Sequence, residues 1–184
     1  MSLGSKKTIS LDAKPILASG FKICYTNKEG EEMKEIIIDS KEDIFSSFTR
    51  TALYYETDQM GIIHHSNYIR WFEEARLHYM KEIGLPYDAL ERMGIIIPVL
   101  SVECRYRLPV HYDETVRIYM SITKFNGVKM RVAYEVRDEQ TGELRSEGAS
   151  EHGFVDRDFK PVRMKRDYPE VYEILNAHVI PAQK

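Results

Sequence analysis

Hydrophobic and polar positions change period several times along the chain. From Phe48, "FTRTALYYE" is rich in β-branched and aromatic residues and predicts a strand over 48–56. From about Asn67 to Ile83 the period becomes helical. Tyr68, Trp71, Phe72, Ala75, Tyr79 and Ile83 fall three and four apart on one side, an aromatic stripe expected to face a core. Arg70, Glu73, Glu74, Arg76 and Lys81 take the other side, with Arg70–Glu74 and Glu73–Arg76 at helix-neighbour spacing. Ser66 or Asn67 can cap the start, and Gly84 and Pro86 mark the end.

After a short irregular or helical piece at 87–93, the period drops to two. Leu100, Val102, Cys104, Tyr106 and Leu108 alternate with Glu103, Arg105 and Arg107, which predicts a strand with its apolar side inward. Val116, Ile118, Met120 and Ile122 alternate next, then Met130, Val132, Tyr134 and Val136. Asn126-Gly127 between those two runs is a strong hairpin signal. "DEQTGE" makes the next turn, and 144–155 reads as a further strand. That strand carries Ser146, Gly148 and Ser150 where large residues are expected, and Gly in a strand often marks a bulge or a close approach. One long helix against about five antiparallel strands is an α+β architecture, the sheet curling around the aromatic stripe. Alternation with one polar face argues against a parallel sheet.

Residues 1–45 differ from the rest. "FKICYTNKEGEEMKEIIID" predicts a hairpin with Gly30 at a turn position needing positive φ, either extending a sheet edge or forming a loose arm. Charge then narrows the function classes. The net charge of −3 comes from interleaved acids and bases, which excludes a broad cationic face for nucleic acid. The longest apolar stretch, "GIIIPVL" from Gly94, is too short for a membrane span. Cys24 and Cys104 share no paired spacing, and Cys104 falls on an apolar side as a small core residue. A reducing, cytoplasmic home is expected.

Several familiar devices are missing from the sequence. There is no Gly-rich phosphate loop. "GASEHG" at 148–153 resembles a nucleophile elbow, but His152 occupies the place of the second glycine and the context is a strand. His64 and His65 are adjacent and point apart, and His78 lies well downstream, so no metal site and no cofactor are expected.

What remains is "YYETDQMGIIHHSNYIRWFEEAR", residues 54–76, where acids and imidazoles crowd the approach to a helix. Glu56 and Asp58 can be ordinary turn formers near a helix's positive end. The same physics suits chemistry. A helix start presents unpaired N–H groups that can hold a forming oxyanion, Gly61 lets the chain bend closely, and an ionised carboxylate alongside can act as nucleophile or base.

This stretch resembles the signature of the hotdog-fold acyl-CoA thioesterases of the 4-hydroxybenzoyl-CoA thioesterase and YbgC group. An acid-x-Asp turn (Glu56, Asp58) is followed by Gly61, a His/Tyr-rich turn (His64, His65), Asn67-Tyr68 and a helix with Trp71 to Arg76. "IPVLSVECRYRLPVHYDETVRIY" resembles the strands that follow in that family, and the likeness covers roughly 47–165. Glu56 departs from the aspartate usual there.

The resemblance implies a helix wrapped by a curved antiparallel sheet over 46–166; the extension at 1–45 departs from the family pattern, and 167–184 is expected as a C-terminal helix or tail. It implies a homodimer or homotetramer with its active site between protomers. It also implies hydrolysis of an acyl-CoA, or an acyl carrier protein thioester, the rival readings being a binding module without turnover and, from a different class, a scaffold dimer. Asp58 matches the catalytic aspartate, the His65 amide matches the group that polarises the thioester carbonyl, and Gly61 keeps its turn role. His64, Asn67 and Tyr68 are the residues expected beside the substrate, although Tyr68 also falls on the core stripe. Coenzyme A phosphates need cations, for which Lys129, Arg131 and the "KPVRMKR" segment at 160–166 are candidates.

Overall fold

The structure is a computed structural model and describes residues 13–15, 21–25, 34–37 and 46–180. The chain divides into two units, Met1–Asp43 and Ile44–Lys184. In the first, β1 (Ala13–Pro15), β2 (Phe21–Tyr25) and β3 (Lys34–Ile37) form a three-stranded antiparallel sheet in that order. The predicted pairing of the two arms is present, with Lys22 opposite Ile37 and Tyr25 opposite Lys34. The turn expected at Gly30 lies outside the described residues.

In the second unit β4 (Ser46–Thr51) leads into α1 (His65–Glu82) and α2 (Tyr87–Met93). Then come β5 (Val99–Tyr106), β6 (Thr115–Phe125), β7 (Lys129–Asp138) and β8 (Leu144–Gly153), closed by α3 (Met164–Asp167) and α4 (Pro169–Ala177). The five strands form one antiparallel sheet in the order β4-β6-β7-β8-β5. With α1 against one face, this is the α+β hotdog fold expected from the sequence.

Period two produces the sheet's inner layer. Val116, Ile118, Met120 and Ile122 of β6 and Met130, Val132, Tyr134 and Val136 of β7 are all buried, beneath the α1 stripe of Tyr68, Trp71, Phe72, Ala75 and Tyr79. The β6–β7 hairpin turns where Asn126-Gly127 predicts: Asn126 Oδ1 accepts the amides of Val128 and Lys129, and Gly127 sits at φ +80°. The small residues of β8 have a packing reason. A Cβ on Gly148 would lie 2.5 Å from the Phe72 ring and 2.5 Å from the Glu103 carbonyl oxygen. Phe72 stacks on Tyr134 with ring centroids 4.4 Å apart, so glycine makes room for that pair.

Three local expectations change. The strand predicted over 48–56 stops at Thr51, and Tyr54–Glu56 is a 3-10 turn, because the Glu56 carboxylate captures the Leu53 amide. Helix α1 starts two residues early, at His65, because the His64 side chain rather than Ser66 or Asn67 caps it. The apolar side of β5 is not buried in the single chain. Val99, Leu100, Val102 and Tyr106 are 51%, 50%, 42% and 49% exposed. The strand sits at the sheet edge, with hydrogen-bonded pairing on the β8 side only.

Candidate active site

The link from β4 to α1 folds as a small hairpin. Thr57 bridges Ile63 antiparallel, the Asp58 amide donates to Ile62 O at 2.9 Å, and the Gly61 amide donates to Asp58 O at 3.0 Å. Gly61 stands at φ +74°, a region an L side chain enters only with strain. The hairpin is tied to the 108–115 segment, since the Ile63 amide donates to Val110 O at 2.8 Å and Ile62 bridges His111. Asp58 is partly exposed. Its Oδ1 accepts the Met60 amide at 2.8 Å, while Oδ2 makes no hydrogen bond among the described residues.

Glu56 joins this hairpin to the helix. Its carbonyl accepts the His64 amide and Asn67 Nδ2, each at 2.8 Å. At the helix start, His64 Nδ1 accepts the Ser66 amide at 3.3 Å and lies 2.8 Å from Ser66 Oγ. The Asn67 amide donates to His64 O. The His65 amide makes no hydrogen bond among the described residues, so one first-turn donor stays available.

Adjacent in sequence and expected to point apart, the His64 and His65 imidazoles instead pack with centroids 4.0 Å apart. Tyr106, from edge strand β5, donates to the His65 carbonyl at 3.0 Å and stands edge-on to the Tyr68 ring. Burial pushes the Tyr68 phenol up to about 12, and burial followed by Cys104 raises Tyr106 to about 12, so both remain neutral donors at ordinary pH. Leu53, Tyr54, Tyr55, Met60 and Tyr112 are exposed along the rim of the hairpin.

The structure thus gathers Asp58, Gly61, His64 and His65 at one end of the sheet. Asn67 and Tyr68 are buried in the single chain: Asn67 holds the Glu56 carbonyl and Tyr68 packs on Trp71 and Tyr106. Lys129 and Arg131 are not brought to Asp58 within one chain. They occupy the start of β7, whose ten residues span roughly 30 Å, while the β6 start beside the hairpin pairs with the β7 end. Arg131 is also engaged with Glu103 at 2.5 Å and Glu151 at 3.3 Å.

Two contributors escaped the sequence reading. Tyr106 falls on the alternating apolar side of β5, and only its polar tip hints at another role. Arg50, which grips Glu56, gave no signal at all. Among the described residues no three His, Cys, Asp or Glu side chains converge as metal ligands. No described helix is long and apolar enough to cross a membrane.

Comparison with known proteins fixes the class. A family model for the thioesterase-like superfamily matches residues 53–175. YneP of Bacillus subtilis, provisionally assigned as an acyl-CoA thioesterase, is 36% identical over 118 residues, covering 64% of this chain and 85% of that one. The acyl-CoA thioester hydrolase YbgC of Escherichia coli is 30% identical over 81 residues, covering 42% and 59% respectively. Among solved structures, a DHNA-CoA thioesterase from Staphylococcus aureus matches with a TM-score of 0.69 and 36% identity, covering 72% of this chain and 89% of that one. The fold is that of a hotdog thioesterase, an enzyme of the thioester hydrolase class. The chain belongs to the thioesterase-like superfamily.

Proposed function

We propose that this protein hydrolyses acyl-CoA thioesters at the junction of the Asp58 hairpin and the start of α1. The observation that carries the reading is a partly exposed carboxylate with one free oxygen, in a hairpin hydrogen-bonded to a helix N-terminus that keeps a free amide. The thioester carbonyl oxygen accepts from the His65 amide, where the N-terminal end of the helix favours the negative charge that develops. Asp58 takes a proton from water, and the resulting hydroxide adds to the carbonyl carbon. The intermediate collapses, the C–S bond breaks, and the coenzyme A thiolate regains the proton from Asp58. In the other route Asp58 Oδ2 attacks directly and water hydrolyses the mixed anhydride. Single-turnover hydrolysis in ¹⁸O water separates the two, since only the anhydride route can leave label in the protein.

The uncovered apolar side of edge strand β5 supports a homodimer formed along that strand. Exposed, flat apolar edges are templates for pairing. A two-fold axis makes the two copies of β5 antiparallel. That pairing brings the β7 start, with Lys129, Arg131 and the basic 160–166 segment, beside the helix start of the partner. The coenzyme A phosphates would then meet cations of one protomer while the carbonyl meets Asp58 of the other. A cytoplasmic home fits the same reading, as Cys104 is a free thiol beside Ser146.

The test is thiol release from a panel of short, long and aromatic acyl-CoAs, with Asp58→Asn alongside. The aromatic arm follows from the Staphylococcus aureus relative, which is a DHNA-CoA thioesterase. Turnover of one class and loss of about a hundredfold or more in the variant are expected. A wild-type protein that binds acyl-CoA without releasing thiol is a binding module, and the proposal fails.

A further inference from the structure

Glu56 does more than form a turn. It is 4% exposed, and its carboxylate receives donors from three directions. Arg50 Nη2, from β4, donates to Oε1 at 2.9 Å and Oε2 at 3.0 Å. Trp71 Nε1, from the second turn of α1, donates to Oε1 at 2.9 Å. The Leu53 amide donates to Oε2 at 2.8 Å. The residue's own amide donates to Leu53 O at 3.0 Å, and its carbonyl takes the donors of His64 and Asn67. The carboxylate therefore ties β4 to α1, the carbonyl ties the turn to the helix start, and the amide closes the turn on Leu53.

The position in the chain gives this joint its consequence. Asp58 is two residues on, in a hairpin that leaves Glu56 through Thr57 and returns through Ile63 to His64. Glu56 and His64 are hydrogen-bonded to each other across the base of that hairpin. A displacement of Glu56 is thus a displacement of Asp58 relative to the free His65 amide. The carboxylate shares its cation with Glu74, whose two oxygens receive Arg50 Nη1 at 2.9 and 2.8 Å. The Arg50 guanidinium is itself largely buried, with its carbon 4.8 Å from the Trp71 ring centroid. A neutral amide in place of the carboxylate would leave Nη2 with one acceptor fewer, or turn a donor towards it, while Nη1 stays with Glu74.

We infer that Glu56 is the positioning residue of the site, setting the separation between the Asp58 carboxylate and the amide end of α1 through Arg50, Trp71 and Asn67. The inference rests on the reading of Asp58 proposed above. Glu56 is not catalytic, because its oxygens are buried and occupied by protein donors.

The experiment compares Glu56→Gln, Glu56→Asp, Trp71→Phe and Asp58→Asn, assayed on an acyl-CoA that the wild type hydrolyses, well below each variant's unfolding midpoint. Displacement by about an ångström costs about a hundredfold in rate. In Glu56→Gln, kcat per folded protein is expected to fall by about that factor, with KM within about threefold of wild type. Glu56→Asp keeps the charge with a shorter reach and is expected to fall between Glu56→Gln and wild type. Trp71→Phe removes one donor from Oε1, keeps the core aromatic, and lowers kcat by a smaller factor. Folded Glu56→Gln with wild-type kcat overturns the inference, as does a loss accounted for entirely by unfolded protein. Should Glu56→Gln fail to fold, Trp71→Phe decides, and an unchanged kcat overturns the inference. With Asp58→Asn inactive, such results sink the role of Glu56 alone. Full activity in Asp58→Asn sinks the catalytic reading itself and the inference with it.

Discussion

Strands β6 and β5 carry the same alternating pattern and meet opposite fates. In β6, Val116, Ile118, Met120 and Ile122 are buried between the sheet and α1. In β5, Val99, Leu100, Val102 and Tyr106 are about half exposed. The difference is position in the sheet. β6 has neighbours on both sides and a helix above it, whereas β5 pairs only with β8. An alternating run reports that one face of a strand must be covered, and does not say by what. Where α1 reaches, the cover is intramolecular and yields stability. At β5 the run ends in Tyr106, which grips the His65 carbonyl, so the uncovered region is continuous with the candidate site.

Four experiments test this division between a centre that holds the fold and an edge proposed above as the dimer seam. The largest expected loss of stability is at the centre. Ile118→Ala removes a fully buried side chain from β6, a strand paired on both sides, and should cost about 2–5 kcal/mol in denaturant unfolding. A cost below about 0.5 kcal/mol would mean that β6 is not the core strand described. Next is Gly148→Ala, whose Cβ has no room between Phe72 and the Glu103 carbonyl; overpacking of about 1–3 kcal/mol is expected. A neutral result would show that Phe72 moves aside freely.

The third test uses pH. Burial, with the Arg76 charge adding to it, pushes the His152 imidazole down to about 4. Its Nε2 lies 2.7 Å from Ser150 Oγ, which in turn lies 2.9 Å from the Tyr134 hydroxyl, and Nδ1 is buried without a partner among the described residues. The unfolded chain, with an ordinary histidine near 6.5, takes up a proton that the folded one refuses. Stability from this group is therefore complete above about pH 6.5 and declines as pH falls towards about 4. The slope is at most about 1.4 kcal/mol per pH unit for one proton. Burial also lowers His178, which acts in the same direction. Unfolding midpoints of wild type and His152→Gln measured from pH 7 to 4.5 should converge as pH falls. Parallel curves would remove His152 as the cause.

The smallest effect on the fold is expected at the edge. Val102→Lys should change unfolding of the single chain by no more than about 0.5 kcal/mol, since the position is open. The same change should abolish the dimer, by sedimentation velocity, and thiol release with it. A Val102→Lys protein that still associates places the interface elsewhere and breaks the contrast between the two strands.

Much of the fold was legible because local chemistry and tertiary outcome agree. The aromatic stripe from Tyr68 to Tyr79, the two buried strands and the Asn126-Gly127 turn all appear where period and turn residues put them. Gly148 was readable as a close approach, though not as the approach of Phe72. The candidate site is a continuous stretch of chain: Asp58, Gly61, His64 and His65 lie together because a short hairpin returns the chain to the helix start. Its supports are not. Arg50 and Trp71 reach Glu56 across separations in sequence that no local pattern encodes, and Asn67 and Tyr68, neighbours of the site in sequence, turn inward.

By itself the sequence determined which segments are amphipathic, where the chain turns, and which acids and imidazoles precede the long helix. These follow from side-chain periodicity and backbone preference, which act over a few residues. The tertiary structure decided that Glu56 is buried while Asp58 keeps a free oxygen, that His64 caps α1, and that β5 is left at an open edge. Those outcomes depend on which distant donors converge on a carboxylate and which surface lies over a strand, and only the folded chain sets either one.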